Sequence, residues 1–200
     1  MPVFEYGQKE IDYLKSRDKK LGAVIDEIGI IEREVIPDPF AALILSVVAQ
    51  QISNKAALTV RNRLTDLVGS ITPENIAKVT LAELRSCGMS ERKAGYIKGI
   101  ADAALSGKVD FSKLHTLSDE EIIKKLTELK GVGIWTAEML LIFSLCRPDV
   151  VSYGDFAIRR GMMILYGHKD LPKERFERYR KRYSPYGSIA SLYLWRLAGQ

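Results

Sequence analysis

Cysteine is almost missing from this chain. Cys87 and Cys146 are the only two in 200 residues, far apart and without a C-x-x-C spacing. Two thiols are too few for an iron–sulfur cluster or a cysteine-based zinc site, and they fit a reduced, intracellular chain. Histidine is equally scarce: His115 and His168 both fall in loop-like contexts and are assigned no chemistry. No metal held by side chains is expected. There is no stretch of about eighteen apolar residues and no charged-then-apolar leader, so neither a membrane span nor a signal peptide is expected. Neither sign of charge dominates: 30 Lys and Arg stand against 25 Asp and Glu, a net +5. That excess is compatible with a polyanionic partner, but many solvated surfaces share it.

The length suffices for one generous domain or two small lobes with a real core. Helical periodicity runs through most of it. From Phe4 to Ile28, apolar residues recur at three- and four-residue steps, with Gly22 expected to mark a break between two short helices. Asp38 and Pro39 form a cap and first turn for an apolar helix to Ala49, which should be buried. Ser53 or Asn54 can cap the next helix, which reaches Val68. Two short helices follow between Ile71 and Leu84, capped by Thr72 and Thr80. Gly88 ends one helix and Ser90 caps the next. Further on, Ser118 with Glu121 forms a capping box.

The stretch from Leu129 to Gly161 concentrates the unusual features. Gly131 and Gly133 flank Val132 between the end of one helix and a second from about Ile134 to Leu145. Glycines that close together signal unusual φ or a close approach. Such a turn can point amide N–H groups outward at a helix N-terminus, where phosphate is attracted. It is equally the turn of an ordinary αα-hairpin. On the second hairpin helix, Trp135 and Met139 lie on one side at helical spacing. Asp155 stands at the start of an amphipathic helix as an ordinary N-cap would. A helix N-terminus also favours an ionised carboxylate, and a fixed carboxylate can stabilise an oxocarbenium-like cation.

Taken together, these residues resemble the helix–hairpin–helix DNA glycosylase superfamily. The segment LKGVGIWTA is similar to its hairpin, and SYGDFAIRRG places the family's Asp on Asp155. DPFAALILSVVAQQISNKAA looks like the segment carrying the side chain that fills the gap in the DNA stack. Gly88-Met89-Ser90, Lys93-Ala94 and Tyr96-Ile97 match a further signature, and SPYGSIASLYLW resembles the C-terminal one, with Gly187 where the family has an arginine. The resemblance covers roughly residues 17–197 and points to the alkylation-repair, 3-methyladenine branch, without the N-terminal β domain of the larger bacterial enzyme.

That resemblance implies an all-α fold of two helical lobes with a central cleft. A single helix–hairpin–helix unit would span 1–200, with lobes of approximately 36–115 and 1–35 plus 116–200. It implies a monofunctional glycosylase, because the bifunctional members carry their Schiff-base lysine where this chain has Trp135. Asp155 is the implied catalytic carboxylate, with Trp135, Met139 and Tyr153 at the base pocket. Gln51 is the implied wedge and Gln50 its neighbour. Lys130, Gly131, Val132, Gly133, Lys93 and Arg160 are candidate phosphate contacts, and Trp195 is read as core packing. No cofactor is expected beyond a structural sodium or potassium ion on the backbone carbonyls of Leu129 and Val132. The expected partner is double-stranded DNA with a damaged base, an alkylated purine foremost. Hypoxanthine, uracil or an oxidised purine are alternatives, as is a non-catalytic DNA-binding module. The chain is expected to act as a monomer inside the cell, in the cytoplasm or nucleoid if prokaryotic.

Overall fold

The computed structural model describes residues 2–199. Twelve α-helices and one 3-10 turn account for the regular structure among them, and one isolated antiparallel bridge joins Val3 and Glu34. No helix of the described residues is long and apolar enough to cross a membrane. The chain divides into two compact units: a terminal unit, Met1–Val35 with Leu141–Gln200, and an inserted unit, Ile36–Leu140. The inserted unit ends within a helix, at Leu140.

In the inserted unit, α3 (Pro39–Ala49) is capped by Asp38, whose carboxylate accepts the Ala41 N–H. Its Leu43, Ile44 and Val47 are fully buried, as its nearly all-apolar sequence requires. Ser53 caps α4 (Asn54–Val68). Thr72 and Thr80 cap α5 (Pro73–Lys78) and α6 (Leu81–Ser86), and Ser90 caps α7 (Glu91–Leu105). A 3-10 turn, Phe111–Thr116, leads to α8 (Asp119–Thr127), which opens on the Ser118/Glu121 capping box. The hairpin then feeds α9 (Ile134–Phe143), whose last residues pass into the terminal unit.

The terminal unit starts with α1 (Gln8–Arg17) and α2 (Lys19–Ile28). The break between them is at Asp18, not Gly22. Asp18 turns the chain by accepting the N–H groups of Lys20 and Leu21 at the start of α2. Gly22 instead lies buried inside α2, where an added Cβ would press on Lys15. The unit is completed by α10 (Phe156–Tyr166), α11 (Lys173–Tyr183) and α12 (Gly187–Leu197). Gly161 lets α10 approach α12 closely, because any Cβ there would overlap the Leu194 backbone. Phe176, Tyr183, Tyr193 and Leu194 fill the core beside that contact.

Candidate active site

Asp155 is the N-cap of α10 and is 7% exposed. Its Oδ1 accepts the Ile158 N–H at 2.9 Å and the Trp195 indole Nε1–H at 3.2 Å. The carboxylate therefore lies at the positive end of a helix and is oriented by a side chain from the last helix. The Trp195 ring is itself backed by Phe143, with centroids 5.3 Å apart, and Arg33 lies 4.8 Å over the Phe143 ring.

The loop that delivers Asp155 is fixed by a polar stripe on α12. Ser188 Oγ accepts the Val150 N–H at 2.9 Å and donates to the Arg147 carbonyl. Ser191 Oγ lies 3.0 Å from the Val150 carbonyl. The Asp149 carboxylate accepts the Ser184 hydroxyl and the Gly187 N–H. An added Cβ at residue 187 would overlap Asp149 and Val151, so the loop needs glycine there. Ser188, Ser191 and Trp195 are spaced three and four apart and share one helical face. They are the signal in the sequence that reading Trp195 as plain core packing overlooks: polar-bearing residues recur at helical spacing through an otherwise apolar helix.

Tyr153, two residues before the carboxylate, is half-buried. Its ring meets Phe176 edge-on at 5.1 Å and carries the Arg159 guanidinium 5.2 Å from its centroid. Arg159 Nε is buried without a hydrogen-bond partner among the described residues. Arg160 is exposed on α10.

In the inserted unit, Gly131 turns the hairpin with φ +88° and lies against the Tyr96 ring of α7, which a Cβ would overlap. Here the glycine is required both by backbone angle and by space. Gly133 has neither constraint. Its carbonyl accepts the first helical N–H, from Ala137, and nothing lies within 4 Å of where its Cβ would be. Lys130 and Gly133 are exposed and Val132 is buried. Trp135 is 43% exposed at the start of α9, one turn before the buried Met139.

Gln50 and Lys93 are placed inward. Gln50 Nε2 donates to the Gly131 carbonyl at 3.0 Å and to Thr136 Oγ1 at 3.3 Å, tying α3 to the hairpin. Lys93 Nζ donates to the carbonyls of Val48 and Gln50, at 2.8 and 2.5 Å, capping the last turn of α3. Burial, with Arg92 nearby, holds its ammonium pKa below the usual lysine value. Its geometry is thus that of a helix cap rather than an outward phosphate contact. Gln51 does the opposite: it is exposed and takes φ +58°, a left-handed angle uncommon outside glycine.

Among the described residues, no group of three or more His, Cys, Asp or Glu gathers to hold a metal. The hairpin presents backbone oxygens, of which the Leu129 carbonyl already accepts the Val132 N–H at 3.1 Å.

Residues 44–185 match the family model described as HhH-GPD superfamily base excision DNA repair protein. The chain is 37% identical over 164 residues to DNA-3-methyladenine glycosylase 1 of Schizosaccharomyces pombe, covering 80% of this chain and 72% of that protein. It superimposes with TM-score 0.88 on the crystal structure of DNA-3-methyladenine glycosidase from Bacillus halodurans, at 37% identity, covering 100% of this chain and 94% of that one. A Schizosaccharomyces pombe 3-methyladenine DNA glycosylase in complex with abasic DNA matches with TM-score 0.83 at 33% identity, covering 94% and 96% of the two chains. This chain belongs to the HhH-GPD superfamily of base excision DNA repair proteins.

Proposed function

We propose that the protein is a monofunctional DNA glycosylase. It extrudes an alkylated purine, 3-methyladenine foremost, from duplex DNA and hydrolyses the N-glycosidic bond to leave an abasic site. The observation that carries this reading is Asp155, fixed at a helix N-terminus by Ile158 and Trp195 in a chain of this family. In the proposed step the bond between C1′ and the purine nitrogen breaks, and its electron pair leaves with the base. The sugar becomes cationic, the carboxylate stabilises it, and a water oxygen attacks C1′ while its proton passes to Asp155. An alkylated purine already carries positive charge and leaves readily, so no strong general acid is required.

Trp135 is the proposed stacking surface, since a cation over an indole face gains about 0.5–2 kcal/mol. Met139 and Tyr153 are proposed as further contacts for the base. Gln51 is the proposed wedge, and its exposure supports that role. The amides of the Lys130–Gly133 turn, with Arg160, are proposed to meet phosphate. A sodium or potassium ion on the Leu129 and Val132 carbonyls would suit an all-oxygen donor set and brace the turn. The protein is proposed to act as a monomer on DNA inside the cell.

The test is release of free bases, identified by chromatography, from methylated, deaminated and oxidised duplexes. Release of 3-methyladenine with strands intact until alkali is added is the expected result. Release only from deaminated or oxidised DNA would keep the chemistry and replace the substrate. DNA binding with no release from any of them would refute the enzyme and leave a binding module.

A further inference from the structure

The chain's net charge is concentrated in one helix. α11 contains six basic residues and two acidic ones, a net +4 against +5 for all 200 residues. Arg178, Lys181 and Arg182 stand three and four apart on one exposed face, in steps of about 5–6 Å. A second source of charge joins them at the turn between α1 and α2, where Arg17, Lys19 and Lys20 are exposed around the buried Asp18. An open groove of about 380 Å³ connects the two, lined by these three cations, Arg182, Asp18 and the Tyr166 and Tyr179 rings.

The groove is built rigidly. Tyr166 and Tyr179 stack with centroids 3.7 Å apart, and Arg182 lies 5.0 Å from the Tyr179 centroid. Asp18, the one carboxylate lining the groove among the described residues, is committed: it accepts Tyr166 Oη–H at 2.6 Å, Arg182 at 3.1 Å and two backbone amides. Arg17, Lys19, Lys20, Arg178 and Lys181 have no carboxylate partner among the described residues. Among the described residues, none of the large exposed apolar side chains lies on α11 or at the α1–α2 turn. A protein partner would ask for an apolar centre, whereas a nucleic-acid backbone asks for a polar, strongly cationic surface. This face is also not the Asp155 site. Tyr166 closes the end of α10 opposite to Asp155, about 16 Å away at about 1.5 Å per residue, the length of some five base pairs.

We propose that the face formed by α11 and the α1–α2 turn is a second, sequence-independent contact for the phosphate backbone of duplex DNA, separate from the site of base release. The inference rests on the reading that this protein acts on DNA. Its use would be to hold undamaged duplex during search.

The test is the triple variant Lys20→Ala, Arg178→Ala, Lys181→Ala, which leaves Asp18 and Arg182 in place and should melt like the parent. Binding to an undamaged duplex of about 40 base pairs is measured across a salt series. The slope of log K against log salt should shrink by up to about 3, with affinity weakened on the order of tenfold at low salt. Base release at saturating enzyme in a single turnover should stay at the parent rate. Unchanged affinity and slope would overturn the proposal. So would a fall in saturated base release, which would make the face part of the lesion site. Loss of binding to a polyglutamate peptide with DNA binding intact would overturn it in favour of an acidic protein partner. If the parent releases no base from any lesion but the slope still changes, the glycosylase reading fails and this surface stands.

Discussion

Gly131→Ala offers a worked test of how the hairpin is held. At φ +88° a side chain costs about 1–2 kcal/mol in backbone strain. The added Cβ would also overlap the Tyr96 ring, and forcing extra atoms into packed space costs about 1–3 kcal/mol. The expected loss of stability is therefore about 2–5 kcal/mol, which is large against a typical total of about 5–15 kcal/mol. Tyr96→Ala removes the ring at its own cost, and in the double variant that cost and the backbone strain of the alanine should remain while the overlap is gone. Urea denaturation of the four proteins should then show the two losses falling short of additivity by about 1–3 kcal/mol. Additive losses would mean that Tyr96 and Gly131 do not press on each other, and the packing reason for this glycine would be refuted.

Three further outcomes are expected. Trp195→Phe keeps an aromatic ring beside Phe143 but removes a hydrogen bond to a carboxylate of about 1.5–3 kcal/mol, so single-turnover base release should fall about 10–100-fold. Its affinity for undamaged duplex should not change. Lys93→Met leaves the carbonyls of Val48 and Gln50 without their ammonium and should cost about 1–3 kcal/mol in denaturant titration. The salt slope of DNA binding should stay as it was, whereas a phosphate contact would reduce that slope by about 1. For Asp18, burial raises the carboxyl pKa, but the hydrogen bonds from Tyr166, the Leu21 amide and Arg182 outweigh it and hold the pKa below the ordinary aspartate value. A depressed folded pKa means that the stabilisation is present above the unfolded value and is lost as pH falls through the folded one. Asp18→Asn should therefore cost about 2–3 kcal/mol at neutral pH, and its deficit against the parent should narrow as the pH drops below about 3.8, followed by thermal melts.

What the sequence makes legible is what a few neighbouring residues decide. Asp38 before Pro39, Ser118 with Glu121, and Asp155 before an amphipathic run each cap a helix through bonds closed within three residues. Gly131 is legible as a turn. That it must also clear Tyr96, 35 positions earlier, is not. Lys93 looks like a surface or phosphate-facing group in the chain, and only the packing of α3 and α7 turns it inward onto carbonyls, as it does Gln50. Gln50's bond to the Gly131 carbonyl ties α3 to the hairpin across 81 positions, a link no local pattern announces. Gly22 reads as a break, but Asp18 supplies a stronger one four residues earlier. Trp195 is identified as a partner of Asp155 only when α12 is laid against the loop before α10, a contact between residues 40 positions apart.

The measurement that bears most directly on the proposed chemistry is single-turnover base release from a methylated duplex by the parent and by Asp155→Asn. Binding of both to the undamaged duplex is followed in parallel. Asparagine can still cap α10 but brings no negative charge to the departing sugar. The expected result is a fall of at least about a hundredfold in base release with DNA affinity retained. Base release that survives the substitution at the parent rate would contradict Asp155 as the catalytic carboxylate.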